Sequence, residues 1–272
     1  MLENLDLRQG SLGLPGKPSP DVWRIAPDTV LKFISYDGSE PFTMHLVSSQ
    51  TSIPVPKVRR CAFWRENLCV FMDYVEGRDL HEVWPTLSIW GRLKLVWVLR
   101  GYIRQLRKVK PPHPDIPGPL NALGPIPLKC KGHYFPDISA GPFPSYTALS
   151  AWYDGRRRLT NLFQKLHMAD AYKEPPQIYF DDSLPLVLTH GDISVYNVRL
   201  GTDGKVWLLD WGFAGMYPQW FEYASIMAYS NKDPPRGWLW FAPLIAGWYK
   251  SQLSFMNCYA PGILHYGFEG FD

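Results

Sequence analysis

Polar and apolar positions alternate over several short runs in the first quarter of the chain, the pattern of strands that bury one face. DVWRI (21–25) and TVLKFI (29–34) flank the turn residues Ala26, Pro27 and Asp28 and predict a hairpin with Lys32 inside its second strand. Residues 40–49 predict a short helix, with Pro41 tolerated in its first turn because a backbone donor is not needed there. VRRCAF (58–63) and LCVFMDYV (68–75), flanking the polar RENL turn, predict a second antiparallel pair. The period then changes. Beyond Thr86 and Ser88, either able to cap a helix, Leu93, Val96, Trp97, Arg100, Ile103 and Leu106 fall three and four apart. They predict a long helix over 89–109 with those residues on its buried face. The prolines and glycines of PPHPDIPGP and GPFPS make 111–146 a stiff excursion across the surface, and a second helix is expected over roughly 147–171.

Chemistry concentrates further on. In LPLVLTHGDISVYNVRL (184–200) the apolar run 186–188 predicts a strand that delivers His190, Gly191 and Asp192 to a loop. VRL and VWLLD, on either side of GTDG (201–204), predict a hairpin ending on Asp210. Two carboxylates then face one cleft from separate loops. Asp192 could accept a proton from a substrate hydroxyl, Asn197 could offer an amide oxygen to a divalent ion, and Asp210 could bind that ion directly. This division of labour suits phosphoryl transfer. Aspartates near turns also cap loops, so residue type alone leaves both readings open. His190 has no accompanying His/Cys set, which favours an orienting role, holding the loop that displays Asp192, over zinc chemistry; a satisfied buried histidine is compatible with that role.

HGDISVYN, followed after a short hairpin by LLDWG, resembles the catalytic and metal-binding segments of the aminoglycoside phosphotransferase and choline kinase-like superfamily. VLKF with Glu40, SIPVP (52–56), FMDYVEGRDL (71–80), GPF (141–143) and DWGFAGMYPQWFEYA (210–224), in this order, resemble its fungal phosphotransferase-related branch over most of residues 21–230. The resemblance implies an α+β, bilobal protein kinase-like fold with an abbreviated strand-rich N-terminal lobe and a larger, mainly helical C-terminal lobe. The corresponding division is a variable segment 1–20, a small nucleotide-binding lobe 21–77, and a catalytic and acceptor-binding lobe 78–272. It also implies ATP and Mg²⁺ as cofactors, with Asp192 catalytic, Asn197 and Asp210 metal-associated, Lys32 on the nucleotide phosphates and Glu40 as its ion-pair partner. Asp73, Tyr74 and Val75 correspond to the interlobe segment whose backbone would meet an adenine edge. The sequence departs from the pattern in two places. QGSLGLPG (9–16) contains neither GxGxxG nor the Walker motif, and Pro15 lacks a donor that a phosphate cradle would use. Gly212 stands where relatives often carry an acidic residue.

Composition narrows the partners. A chain of 272 residues can bury a sizeable core without disulfides. Its net charge of +3 gives no electrostatic case for nucleic acid. The longest apolar stretch, 238–249, is too short to span a bilayer and contains Pro243 and Gly247, so no membrane partner is expected. The opening MLENLDLRQG lacks a basic segment followed by an apolar one, and the four cysteines form no short-spacing pair. Reduced thiols and a cytoplasmic location are the corresponding expectations. The 12 Trp, 15 Tyr and 14 Phe could pack a core or line a pocket, with Trp220, Tyr223 and Trp238 as pocket candidates. Beyond Trp211 the only acids are Glu222, Asp233, Glu269 and Asp272, few for a polycationic acceptor. A hydroxylated small molecule, aromatic or neutral, is therefore preferred, and the short path from Asp210 to FAGMYPQWFEYA leaves little room for a protein kinase activation segment. Two other readings stay open: a kinase-like pseudoenzyme or metabolite-binding module without phosphotransfer, and a metabolite-transforming enzyme that uses no nucleotide. Nothing in the sequence fixes an oligomeric state.

Overall fold

A computed structural model describes residues 22–34, 37–64, 67–137, 139–167, 177–231 and 234–264. Segment 1–20 with its glycines, Asp21, the 168–171 end of the second long helix, and Asp233, Glu269 and Asp272 lie outside the described residues.

The N-terminal alternation produces a four-stranded antiparallel sheet in the order β1-β2-β4-β3, formed by β1 Val22–Ala26, β2 Thr29–Ile34, β3 Val58–Trp64 and β4 Asn67–Asp73. Alternate residues of β4, Leu68, Val70 and Met72, share one buried face and join a core with Met44 and Val47 of α1 (Ser39–Gln50). Helix α1 starts one residue ahead of the expected position. Gly38 supplies the left-handed turn before it at φ 62°, Asp37 Oδ1 accepts the Ser39 N–H at 3.1 Å, and Pro41 sits in the first turn. The register pairs Lys32 with Val70 and Thr29 with Asp73, so the lysine lies mid-sheet and Asp73 at the strand end.

After Asp73 the chain leaves this sheet and enters a three-stranded one, in which β5 Gly77–Asp79 pairs with β7 Val198–Gly201 and β7 pairs with β8 Val206–Leu208. A two-stranded ribbon joins β6 Leu186–Thr189 to β9 Gly215–Pro218. The short α2 (Leu80–Val83) follows β5. The larger helical part comprises α3 (Ile89–Leu106), α4 (Tyr146–His167), α5 (Phe221–Ala228), α6 (Ala242–Ala246) and α7 (Lys250–Leu264), with α4 against α7 and α3 against α6. The fold is bilobal and α+β, strand-rich at the N-terminal side and mainly helical beyond it.

Three expectations are corrected. Helix α3 is capped by Ser88, whose side chain accepts the Gly91 N–H at 3.2 Å, but its buried face is Leu95, Val96, Leu99, Ile103 and Leu106. Trp97 is 69% exposed, and Leu93 and Arg100 are only half-buried. Periodicity fixes the helix and not its rotation, because packing against β6 and α6 selects the face by contact rather than by apolar count. Residues 111–146 are irregular yet not a surface excursion. Cys130, Tyr134, Phe135, Ala140 and Phe143 are buried with Tyr153 of α4, Phe221 of α5 and Phe255 of α7 in a second, aromatic-rich core. Isolated bridges from Gly118 to Met216 and from Cys130 to Ala140 pair some of the backbone groups that burial would otherwise leave orphaned. Trp220, Tyr223 and Trp238 are buried in the two cores rather than lining a pocket.

Among the described residues no helix is long and apolar enough to cross a membrane.

Candidate active site

Strand β6 buries Val187, Leu188 and Thr189 and then releases the loop 190–197, while the hairpin of β7 and β8 brings Asp210 beside it. Gly191 takes φ 75° with the Phe213 carbonyl directly against it, and a Cβ at this position would lie 2.7 Å from that oxygen. His190 is fully buried. A carbonyl only accepts, so His190 Nε2 donates to Leu209 O at 3.0 Å, which leaves Nδ1 to accept the Asp192 N–H at 3.3 Å. Burial, opposed by Asp192 and Asp210, lowers its pKa below the ordinary 6.5, so the ring is neutral at pH 7 and joins the Asp192 loop to the end of β8.

Lys32 Nζ lies 2.7 Å from Glu40 Oε1 and 2.8 Å from Asp210 Oδ1, so strand β2, helix α1 and the segment after β8 meet at one ammonium. Burial alone would lower the lysine pKa, but the two carboxylates outweigh it and raise it above its ordinary value. Glu40 is buried deeply enough that desolvation lifts its carboxyl despite Lys32. Asp210 behaves oppositely. Burial would raise it, but Lys32 and the Gly212 N–H hold it below the usual carboxylate range, and its side chain remains 50% exposed. Asp210 has φ 57°, a left-handed conformation that is uncommon outside glycine and often found at functional sites. A Cβ on Gly212 would stand 3.3 Å from Asp210 Oδ1 and 3.6 Å from Glu40 Oε2, so glycine keeps the space over this cluster open.

Asn197 Nδ2 donates to Asp192 Oδ2 at 2.7 Å and to Asp192 O at 2.9 Å, which turns its amide oxygen away from that carboxylate. The Leu209 N–H donates to Asn197 O at 2.9 Å and places Asn197 beside the Asp210 loop. Asn197 Oδ1 and the exposed Asp210 carboxylate are hard oxygen donors of the type Mg²⁺ takes from protein when phosphates supply the rest of its shell. Among the described residues no group of three or more His, Cys, Asp or Glu gathers into a metal cage.

The trio Asp73, Tyr74 and Val75 is less open. The Asp73 N–H donates to Lys57 O, the Tyr74 N–H to Asp28 O, and Val75 O accepts from Arg199 at 3.1 Å. The Asp73 carboxylate takes Arg59 Nε at 2.6 Å, and the Tyr74 ring lies 3.7 Å beneath the Arg24 guanidinium. Two backbone donors and one carbonyl of this segment are therefore already used within the protein.

Three residues that the sequence did not assign to the site complete it. Glu222, at the start of α5, accepts the His190 N–H at 2.7 Å and the Gly191 N–H at 3.1 Å. Burial pushes its pKa up to about 7, against those two donors. Tyr229, just beyond α5 and seven residues on, lies on the same side of the helix axis and donates its hydroxyl to Asp192 Oδ1 at 2.6 Å. His133 Nε2 lies 2.7 Å from the same oxygen, with its ring edge-on to Phe213 and Tyr229. A single acid inside the apolar run WFEYASIMA is a readable sign for Glu222; His133 lies in the irregular segment and carries no sequence signal.

Residues 135–251 match the model of the phosphotransferase enzyme family. That span contains His190, Asp192, Asn197, Asp210, Glu222 and Tyr229 and excludes Lys32, Glu40 and His133. Among solved structures the chain is similar to the aminoglycoside phosphotransferase APH(3'')-Id from Streptomyces rimosus in complex with ADP and streptomycin. The identity is 16%, 92% of each chain is covered, and the TM-score is 0.50, a likeness of fold. It is also similar to spectinomycin phosphotransferase APH(9)-Ia in complex with ADP and spectinomycin, at 11% identity over 92% of this chain and 78% of that one, TM-score 0.48. No curated protein sequence matches significantly. The chain thus has the bilobal, protein kinase-like fold, and its central portion matches a phosphotransferase family; these likenesses do not separate a fungal or choline kinase branch.

Proposed function

We propose that this protein is an ATP-dependent phosphotransferase acting on a hydroxyl group of a small molecule. The observation that carries the reading is the convergence of Lys32, Glu40 and Asp210 at one ammonium, with Asp192 and Asn197 on the adjoining loop. Lys32, oriented by Glu40, would hold nucleotide phosphates; Asn197 Oδ1 and Asp210 would hold Mg²⁺, which when bound neutralises phosphate charge. Asp192 takes the proton of the acceptor hydroxyl as its oxygen bonds to the γ-phosphorus. The bond from that phosphorus to the β–γ bridging oxygen breaks, and ADP leaves with the electron pair. Asp73, Tyr74 and Val75 lie three to five residues along the chain from the Lys32–Val70 pair, roughly 10 Å or more away at strand rise, and an adenine there would have to use backbone groups beyond those already bonded.

The acceptor is read as neutral or aromatic rather than polycationic. Glu222 is buried and committed to the backbone of residues 190 and 191, so it is not placed to meet a cationic substrate. The rings of Phe213 and Tyr229 pack edge-on against His133, so the surroundings of Asp192 are aromatic rather than acidic. The test is transfer of γ-labelled phosphate from MgATP to a panel of hydroxylated metabolites, with Asp192→Asn as control. Transfer by the wild type that the variant abolishes supports the reading. A kinase-like binding module is the second reading, favoured by the missing glycine-rich pattern before Lys32. It predicts metabolite binding without nucleotide.

A further inference from the structure

The Asp192 carboxylate is held by more groups than a proton acceptor needs. A carboxylate offers about four lone-pair positions, two on each oxygen. On Oδ1 both are taken, by His133 Nε2 at 2.7 Å and the Tyr229 hydroxyl at 2.6 Å. On Oδ2 one is taken, by Asn197 Nδ2 at 2.7 Å. Among the described residues no second donor meets Oδ2, which leaves one position there, and the side chain keeps 13% of its surface exposed.

The groups on Oδ1 are themselves fixed. Tyr229 follows α5, whose first turn pins residues 190 and 191 through Glu222, so this helix and its extension grip both the backbone of the loop and its carboxylate. His133 sits in a strap closed by the bridge between Cys130 and Ala140, with N···O distances of 2.8 and 3.0 Å. Lys131 of the strap reaches Asp37 Oδ2, ahead of α1, at 3.6 Å, and Phe135 is anchored in the aromatic core. The strap thus runs from the helical lobe to the small lobe across the loop that bears Asp192.

We infer that His133 and Tyr229 are positioning residues for phosphotransfer: they close Oδ1 and hold the carboxylate plane so that the acceptor hydroxyl is taken at Oδ2. This rests on the phosphotransferase reading. Free rotation of an aspartate about χ2 would present either oxygen, and donors on Oδ1 remove that freedom before the acceptor arrives.

The experiment compares wild type with His133→Leu, His133→Gln and Tyr229→Phe, measuring kcat and KM for phosphate transfer from MgATP to water and to the hydroxylated panel. MgATP affinity is measured separately by calorimetry. His133→Leu and Tyr229→Phe are expected to lower kcat roughly ten- to a hundredfold, the range for losing one charge-assisted hydrogen bond, with MgATP affinity unchanged. His133→Gln, which keeps an N–H donor at similar reach, is expected to recover most of the rate, a rescue that a packing role would not give. Tyr229→Phe keeps the ring and so serves if the leucine variant fails to fold. Wild-type kcat in the folded variants, or a loss that glutamine does not recover, overturns the inference alone. A wild-type protein that neither binds MgATP nor transfers phosphate overturns the underlying reading and the inference with it.

Discussion

Replacing Glu222 with alanine removes the acceptor of two buried backbone N–H groups, those of His190 and Gly191. Each orphaned donor costs ~1–3 kcal/mol, so the loss is about 2–6 kcal/mol before any relief is counted. Relief comes from the carboxyl itself. Burial displaces its pKa from the ordinary 4.5 to about 7, so between those values the folded protein binds more protons than the unfolded chain. Wild-type stability therefore falls as pH rises through that window, by about 3–4 kcal/mol in all at ~1.4 kcal/mol per pH unit, and the alanine variant is free of this loss. The gap between wild type and Glu222→Ala should be largest near pH 5 and narrower by between about 2 and 3 kcal/mol at about pH 8. Urea denaturation at the two pH values, extrapolated to water, measures it. A gap that stays constant, or widens toward the higher pH, would refute the reasoning and show that the two amides stabilise Glu222 as an anion.

Lys32→Met leaves the buried Glu40 without its partner and should destabilise the protein by about 3–5 kcal/mol; adding Glu40→Met should return part of that in a thermal melt, whereas strictly additive losses would contradict the pairing. Gly191→Ala places a Cβ against the Phe213 carbonyl at a φ of 75° and should cost at least ~2 kcal/mol together with phosphate transfer, read from the same melts and a turnover assay. Asp192→Asn should abolish transfer while leaving MgATP binding intact by calorimetry; retained turnover would remove Asp192 from its catalytic place.

The elements with strong local patterns were legible in the sequence. The hairpin carrying Lys32, the second strand pair, the Ser88-capped helix and the loop after β6 all follow from periodicity and turn chemistry. Rotation of α3 was not, since Trp97 satisfies the helical spacing yet faces out, and only contact with β6 and α6 selects Leu95 and Leu99 instead. The segment 111–146 misled because proline and glycine content speaks to irregularity and not to burial, and its aromatic residues are what draw it into the core. His133 was invisible for a related reason: its meeting with Asp192 joins positions 59 residues apart, and His133 itself sits in an irregular segment with no periodicity to place it.

Calorimetric titration of MgATP into the full chain tests the central claim most directly. Wild type and Asp192→Asn should bind one nucleotide in a Mg²⁺-dependent manner, and Lys32→Met and Asp210→Ala should lose that binding. A wild-type chain that gives no binding, or binding unaffected by both substitutions, would contradict the account.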